Sequence, residues 1–147
     1  MDNVRVDFEI LERNQYAPIS WKASRCHLVY NVKMGFTCKY WWVKYGHKPS
    51  DPGQSTYTCV VSRDSVCIYL TYAALNIIDV MTAEINNAYL QAPSYDKHYI
   101  ICGGEFGLEH IGKISLIRQA LYGGKSSGDN FWKHLWYLIT HLGFWVL

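Results

Sequence analysis

Two segments in the first third of the chain are rich in branched and aromatic residues and lie on either side of a glycine. Residues 26–32 read Cys-His-Leu-Val-Tyr-Asn-Val, and residues 39–45 read Lys-Tyr-Trp-Trp-Val-Lys-Tyr. Such side chains favour extended backbone, and Gly35 supplies a turn between the two runs. The pattern predicts a β-hairpin. Residues 46–55 follow with two prolines, two glycines and two serines, which predicts a loop.

Two later segments repeat apolar residues every three or four positions, which predicts amphipathic helices. In the first, Ser62 or Asp64 is the expected cap and Asn76 the approximate end. The second begins within residues 126–129, and Gly143 is its expected end. The stripe of the first helix that we expect to face the core consists of Val66, Tyr69, Leu70, Ala73, Ala74 and Ile77.

Shorter patterns fill the rest of the chain. Residues 79–85, 98–102 and 113–118 favour strands, whereas residues 4–11 fit a strand about as well as a short helix. A turn of helix is expected over residues 86–90, because a proline three residues later excludes its continuation. Helices and strands mix without a strict βαβ alternation, which predicts the α+β class. The 147 residues suffice for one domain and not for two.

Charge and composition exclude several classes of protein. Lys and Arg number 14 against 12 Asp and Glu, and a net charge of +2 is too small for a purely electrostatic grip on nucleic acid. Aromatic residues make up 16% of the chain, which excludes a disordered tail. The first 20 residues lack the apolar core of a signal peptide, and no apolar run approaches about 18 residues. We therefore expect an intracellular protein, cytoplasmic or nuclear, that is not secreted and has no membrane partner.

Three familiar kinds of site are not encoded. The five cysteines are odd in number and contain no Cys-x-x-Cys, so neither a disulfide framework nor a zinc ribbon is predicted. Gly124-Lys125-Ser126 is typical of the end of a P-loop, but Gln119 stands where that loop needs its first glycine. Asp79 and Glu84 are five residues apart, and on a strand this odd spacing places them on opposite faces. They are not expected to share an ion or a proton.

Several motifs together carry a family resemblance that none of them carries alone. Residues 82–93 read Thr-Ala-Glu-Ile-Asn-Asn-Ala-Tyr-Leu-Gln-Ala-Pro, residues 120–125 read Ala-Leu-Tyr-Gly-Gly-Lys, and residues 141–144 read His-Leu-Gly-Phe. With residues 60–66 and 70–75, they resemble the reverse transcriptase of copia-type retrotransposons in the family's order. The similarity runs from about Trp21 to Phe144.

This resemblance implies the fingers and the first part of the palm of a right-hand polymerase. Residues 1–20 would be an N-terminal extension, residues 21–60 the finger strands and loop, and residues 61–147 the beginning of the palm. The implied architecture is a mixed or antiparallel sheet packed with helices. The family's activity is RNA-directed DNA polymerisation, which uses Mg²⁺, a primer-template and deoxynucleoside triphosphates.

The resemblance also assigns roles to particular residues. Glu84 occupies the position of the family's metal-binding aspartate, and Tyr89 that of the aromatic residue that screens the sugar 2′-hydroxyl. A carboxylate neutralises metal charge, and a flat ring leaves no room for the extra hydroxyl. The residues implied to contact nucleotide or template are Ile85, Ala88, Tyr89, Tyr122, Gly123, Lys125 and Lys39.

The sequence departs from the family in ways that bear on activity. Glu84 is one methylene longer than the expected aspartate, and a displacement of about 1 Å can cost on the order of a hundredfold in rate. Trp41 replaces a finger-strand arginine suited to triphosphate oxygens. The 147 residues contain no Tyr-x-Asp-Asp, the motif that supplies the family's other metal carboxylates. Arginine is also expected where this chain has Cys38, Cys67, Gln119 and Trp136.

We therefore expect a truncated, decayed polymerase domain that is inactive alone and holds Mg²⁺ unproductively. Two alternatives are a non-catalytic binder of nucleic acid or nucleotides and an interaction protein that self-associates through its exposed half-palm sheet. The first interpretation makes a geometric prediction. The strand ending at Glu84 and the turn at Gly123 and Gly124 converge, Tyr89 lies between them, and no second carboxylate stands beside Glu84.

Overall fold

A computed structural model describes residues 7–45, 58 and 60–144. In these residues the chain forms an α+β arrangement of two α-helices, a mixed four-stranded sheet and a two-stranded hairpin. The predicted class is thus confirmed. The loop predicted over residues 46–55 lies outside the described residues. Within the described part, no helix is long and apolar enough to span a bilayer.

The four-stranded sheet joins two segments near the N-terminus to two strands that come more than 70 residues later. Strand β1 (Phe8–Ile10) pairs antiparallel with β6 (Ile114–Ile117), which pairs antiparallel with β5 (His98–Ile101). Strand β2 (Lys22–Ala23) adds to the other side of β5 in parallel. The predictions of strands near residues 98–102 and 113–118 are confirmed. Within the ambiguous N-terminal segment, Phe8–Ile10 form a strand because they find a partner in β6, which the local pattern could not reveal, and residues 4–6 lie outside the described residues.

The core lies on one face of this sheet. Phe8 is 2% exposed, and its ring meets those of Phe106 and Trp42 edge-on at centroid distances of 5.3 and 5.8 Å. Edge-to-face aromatic pairs of this kind add stabilisation beyond the apolar area that they bury. The buried cluster consists of Phe8, Ile100, Cys102, Phe106, Ile117 and Leu121.

The predicted hairpin is confirmed. Strand β3 (Cys26–Val32) pairs antiparallel with β4 (Cys38–Lys44) from Cys26 opposite Lys44 to Val32 opposite Cys38. Alternation along β4 points Trp42 and Lys44 to the same side, where Trp42 packs on the core. The root of the hairpin is therefore buried, while its tip is exposed.

The first long helix forms as predicted but does not pack as predicted. Helix α1 (Arg63–Leu75) begins at Ser62, whose hydroxyl accepts a hydrogen bond from the Ser65 amide. Of the apolar stripe that was expected to face the core, only Ala73 is buried. The local cap thus specifies the helix, but no described element covers its apolar side.

The strand predicted over residues 79–85 is wrong, since residues 78–85 have no regular structure and are exposed. A strand needs a partner for its backbone hydrogen bonds, and no described strand pairs with this segment. The turn of helix predicted after it is present as a 3₁₀ helix at Ala88–Gln91.

Helix α2 (Ser127–His141) confirms the second long helix. Its expected end at Gly143 is also confirmed, because this residue has φ +85° and its amide donates to the Thr140 carbonyl. The Phe144 amide donates to the Ile139 carbonyl, which completes a glycine-type helix end.

Candidate nucleotide-facing site and a buried polar cluster

Tyr89 and Tyr122 lie against each other although they are far apart in sequence. The 3₁₀ helix at Ala88–Gln91 positions Tyr89, whose ring centroid is 5.0 Å from that of Tyr122 and 5.9 Å from that of Phe131 on α2. Burial, followed by the neighbouring Tyr89, raises the pKa of the Tyr122 phenol above its usual value. The ring contact agrees with the predicted position of Tyr89 beside the turn at Gly123 and Gly124, whereas the strand that was expected to end at Glu84 beside this turn does not form.

The same turn also contacts the root of the hairpin. The Lys44 amide donates to the Tyr122 carbonyl at 2.7 Å, and Val43 forms a parallel bridge with Tyr122. Gly123 has φ +78°, and a Cβ there would overlap the Lys44 carbonyl oxygen. Both the left-handed backbone and the close approach therefore require glycine at this position.

The two lysines of the predicted site belong to different segments, Lys39 to β4 and Lys125 to the turn before α2. Lys39 is on β4, four residues before Val43 and hence about 13 Å from it along the strand. Its ammonium lies 5.8 Å from the centroid of the Trp41 ring. Lys125 is exposed and lies two residues before α2 begins. The structure therefore brings Tyr89, Tyr122 and Gly123 together, with Lys39 further along the hairpin.

Glu84 and Ile85 belong to the exposed, irregular segment that precedes the 3₁₀ helix. Since no strand forms there, the argument that Asp79 and Glu84 occupy opposite strand faces does not apply. Glu84 makes no hydrogen bond or ion pair with another described residue. The described residues also contain no group of three or more histidine, cysteine or acidic side chains arranged to hold a metal ion. Ala88, by contrast, lies in the 3₁₀ helix beside Tyr89.

A buried polar cluster that sequence reasoning missed lies behind the Tyr122 turn. The Lys44 ammonium is 3.3 Å from Asp96 Oδ2 and 3.0 Å from His98 Nδ1. Ser126 Oγ donates to the same Asp96 oxygen at 2.6 Å. Lys44 is 5% exposed, His98 7% and Ser126 1%. The cluster joins β4, the segment entering β5 and the residue that precedes α2.

Burial controls the protonation of this cluster. Burial first, and then the Lys44 ammonium, lowers the pKa of His98 below its usual value, while Asp96 acts in the opposite direction and Lys22 in the same one. Burial raises the pKa of the Cys26 thiol to about 12, and Lys44 on the paired strand partly offsets this effect. The buried pair of Lys44 and Asp96 thus lies beside an imidazole and a thiol whose neutral forms burial favours.

The sequence did contain one signal for this cluster. Strand alternation places Lys44 on the same face as Trp42, and Trp42 packs on the core. A lysine on a core-facing strand position requires a buried acceptor, because an unpaired buried charge is very costly. The pattern did not identify Asp96 as the acceptor, since the two residues are 52 positions apart.

Comparisons of the chain with protein-family models, with curated proteins and with solved structures find no match. The proposed function therefore rests on the geometry of the Tyr89–Tyr122 junction and on the sequence motifs.

Proposed function

We propose that this chain is a fragment of a copia-type reverse transcriptase domain, an RNA-directed DNA polymerase by descent that is inactive on its own. The observation that carries the proposal is the contact between the rings of Tyr89 and Tyr122, 5.0 Å apart. Each ring belongs to a motif of the resemblance, and the two motifs are separated by two strands and two 3₁₀ helices that bear no such motif. A nucleotide site shared by the two motifs requires them to meet.

The root of the hairpin supports the same proposal. Tyr122 contacts the strand that carries Lys39, the lysine proposed to face the phosphates of a nucleotide. A cation on a finger strand and an aromatic ring beside the sugar are complementary to a nucleoside triphosphate. Tyr122 thus contacts both Tyr89 and the strand that carries Lys39, and Lys39 itself lies about 13 Å along that strand from Val43.

The residues near Glu84 do not fit a two-ion Mg²⁺ centre. Such a centre holds two ions about 3.5 to 4 Å apart and needs several carboxylates to do so. Glu84 is an exposed carboxylate with no other acidic side chain bonded to it in the described part of the chain, and the 147 residues contain no Tyr-x-Asp-Asp. We therefore propose that these residues bind nucleotide or template without turnover.

Primer extension tests the absence of turnover. The purified chain, supplied with Mg²⁺ or Mn²⁺, deoxynucleotides and a primed RNA or DNA template, is expected to extend no primer. The Glu84→Asp variant is expected to behave in the same way, because one shorter carboxylate does not supply the others. Template-dependent extension that the Glu84→Ala substitution abolishes would contradict the proposal.

Binding of a fluorescent primer-template tests the residual site. Tyr89→Ala is expected to weaken binding by about 1–3 kcal/mol if the ring stacks on a base or sugar. Tyr95→Ala removes an exposed tyrosine outside the junction and is the matched control. Lys39→Ala is expected to reduce the salt dependence of binding by about one counterion, whereas Lys97→Ala is not. Equal losses in the test and control variants would indicate non-specific binding.

Self-association is the second candidate function, and the exposed side of α1 favours it. Ile68 is 70% exposed, Tyr69 61%, Tyr72 60% and Leu75 79%. An apolar surface of this kind is typical of an interaction site. Sedimentation without nucleic acid is expected to show concentration-dependent association that Ile68→Glu weakens. The matched control is Leu108→Glu, which changes an exposed leucine that lies outside α1. A monomer at every concentration would rule out this function.

A further inference from the structure

The buried cluster of Lys44, Asp96, His98 and Ser126 joins the root of the hairpin to the Tyr122 turn and β5, beside the packing of Trp42 on the core. Through its backbone, Lys44 donates to the Tyr122 carbonyl at 2.7 Å, and through its side chain it reaches Asp96 and His98. One residue of β4 is therefore bonded both to the Tyr122 turn and to the start of β5. If the side chain of Lys44 is released, the backbone contact loses its support.

The bond between Lys44 and His98 fixes the protonation state of the imidazole. An ammonium group has only donors, so His98 Nδ1 must accept at 3.0 Å and its ring proton must reside on Nε2. Nε2 is itself buried and has no hydrogen-bond partner among the described residues. The carboxylate oxygen that a second proton on Nδ1 would face, Asp96 Oδ2, is 3.9 Å away and already accepts from Lys44 and Ser126.

The charged groups around His98 include two lysines, which disfavour a further positive charge on its ring. Lys44 faces it from β4, Lys22 from β2 and Asp96 from its own segment. Ser126, from the start of α2, is uncharged, and Cys26 on β3 is a neutral thiol. A proton on His98 Nδ1 would face the ammonium of Lys44, so two hydrogen-bond donors would be in contact. Asp96 would then be the one carboxylate among these groups, against the three cations Lys44, Lys22 and protonated His98.

We propose that this cluster is a pH-sensitive latch, in which protonation of His98 expels the Lys44 side chain and releases the root of the hairpin from the Tyr122 turn. The bistable element is the contact between Lys44 and the Tyr122 turn; Trp42 stays packed on Phe8 and Phe106, so no strand has to unfold. The latch requires only these side chains and operates with or without a bound nucleotide.

The direction of the effect follows from proton linkage. Burial, and then Lys44, lowers the pKa of His98 below 6.5 in the docked state, so the docked hairpin binds fewer protons than the released one. Docking is therefore fully favoured above pH 6.5 and is lost as the pH falls through the lowered pKa of the docked state. The ratio of docked to released hairpin decreases by up to about tenfold per pH unit in this window.

Nuclear magnetic resonance on the full chain tests the latch. Between about pH 7.5 and pH 5, the Lys44 and Tyr122 amide signals are expected to shift together with the His98 ring signals, with one midpoint below 6.5. His98→Gln keeps a polar side chain that does not titrate, so this transition should disappear. The matched control is His141→Gln, which removes an exposed histidine from the end of α2 and should leave the transition unchanged.

A second variant keeps the test decisive if His98→Gln fails to fold. Lys44→Met removes the cation that faces His98 and should raise the midpoint of His98 towards 6.5. The proposal is overturned by a His98 midpoint at or above 6.5 in the unmodified chain, by a midpoint that Lys44→Met does not move, or by amide shifts that persist in His98→Gln.

Discussion

The two long helices are both largely apolar, yet their surroundings differ. Helix α2 begins in the interior, where Ser127, Asp129 and Asn130 are buried and Ser127 Oγ donates to the Leu121 carbonyl at 2.6 Å. Helix α1 buries only Ala73. We call the sheet, the root of the hairpin and α2 the compact region, and residues 60–87 the exposed region.

The difference shows that two separate causes determine whether a helix forms and where it lies. Ser62 provides a cap for α1, and a helix requires only such local signals together with adequate propensity. Burial requires a second surface. Helix α2 finds one because the turn that precedes it is bonded to β4 and β5 through Tyr122 and Ser126.

Truncation of a core side chain should distinguish the two regions most strongly. Phe8→Ala removes a ring that is 2% exposed and contacts Trp42 and Phe106, so the free energy of unfolding should fall by about 3–5 kcal/mol. Ile68→Ala, in α1, removes a side chain that is 70% exposed and should change it by less than about 0.5 kcal/mol. Urea denaturation of both variants measures the contrast. Equal losses would mean that α1 is buried in solution.

Two glycines with the same backbone angle provide a finer test within the compact region. Gly112 has φ +77° with open space around it, so Gly112→Ala should cost about 1–2 kcal/mol from backbone strain alone. Gly123 has φ +78°, and a Cβ would overlap the Lys44 carbonyl oxygen. Gly123→Ala should therefore cost more than Gly112→Ala in urea denaturation, and it should also perturb the Lys44 amide. Similar costs would contradict the tight packing of the Tyr122 turn against β4.

The parts of the fold that local sequence determines were predictable. The hairpin, a helix cap at Ser62 or Asp64 and the stop at Gly143 each depend on a few adjacent residues, and all three predictions are confirmed, with Ser62 as the cap. The strand expected over residues 79–85 is wrong because strand formation depends on a partner. The same reason left residues 4–11 ambiguous, since pairing with β6 is a long-range event.

The candidate site was likewise predictable only in part. The resemblance anticipated that Tyr89 would approach the Tyr122 turn, and the rings are in contact. No motif indicated the Lys44–Asp96 pair, because its members come from segments with no shared pattern and its energy depends on burial. Long-range polar contacts of this kind are visible only when the fold is assembled.

Removal of the Ser62 cap should have a local effect in the exposed region. Ser62→Ala eliminates the acceptor of the Ser65 amide and should destabilise α1 by about 1 kcal/mol, or roughly fivefold in amide-exchange protection within the helix. Because α1 buries so little, the midpoint of global urea unfolding should remain unchanged. Thr71→Ala is a control of opposite sign, since its hydroxyl bonds back to the Cys67 carbonyl and alanine has the higher helix propensity. A global loss with Ser62→Ala would show that α1 unfolds with the compact region.

The smallest expected effect concerns a carboxyl group at the edge of the compact region. The described groups with shifted pKa values are Asp7, Cys26, His98, Cys102 and Tyr122, and all of them lie outside the exposed region. Burial raises the pKa of Asp7 from 3.8 to about 6. The folded chain therefore binds more protons at this site than the unfolded chain, so the Asp7 contribution to stability is lost as the pH rises from 3.8 to about 6. This direction is opposite to that of His98.

Asp7→Asn should remove the destabilisation that ionisation of the half-buried Asp7 carboxyl causes, and should therefore stabilise the protein at neutral pH. The gain should be about 1 kcal/mol or less, because the carboxyl is only half-buried and solvent screens its charge. Below pH 3.8, the wild-type carboxyl is protonated in both states, so the two proteins should have nearly equal stability there. Urea denaturation at several pH values should thus show a difference that grows between pH 3.8 and about 6 and then stays constant. If the two proteins differ in the free energy of unfolding by the same amount at every pH, the effect comes from hydrogen bonding of the new amide. Burial would then not raise the pKa of Asp7, and its carboxyl would be as exposed as the acidic side chains of residues 60–87.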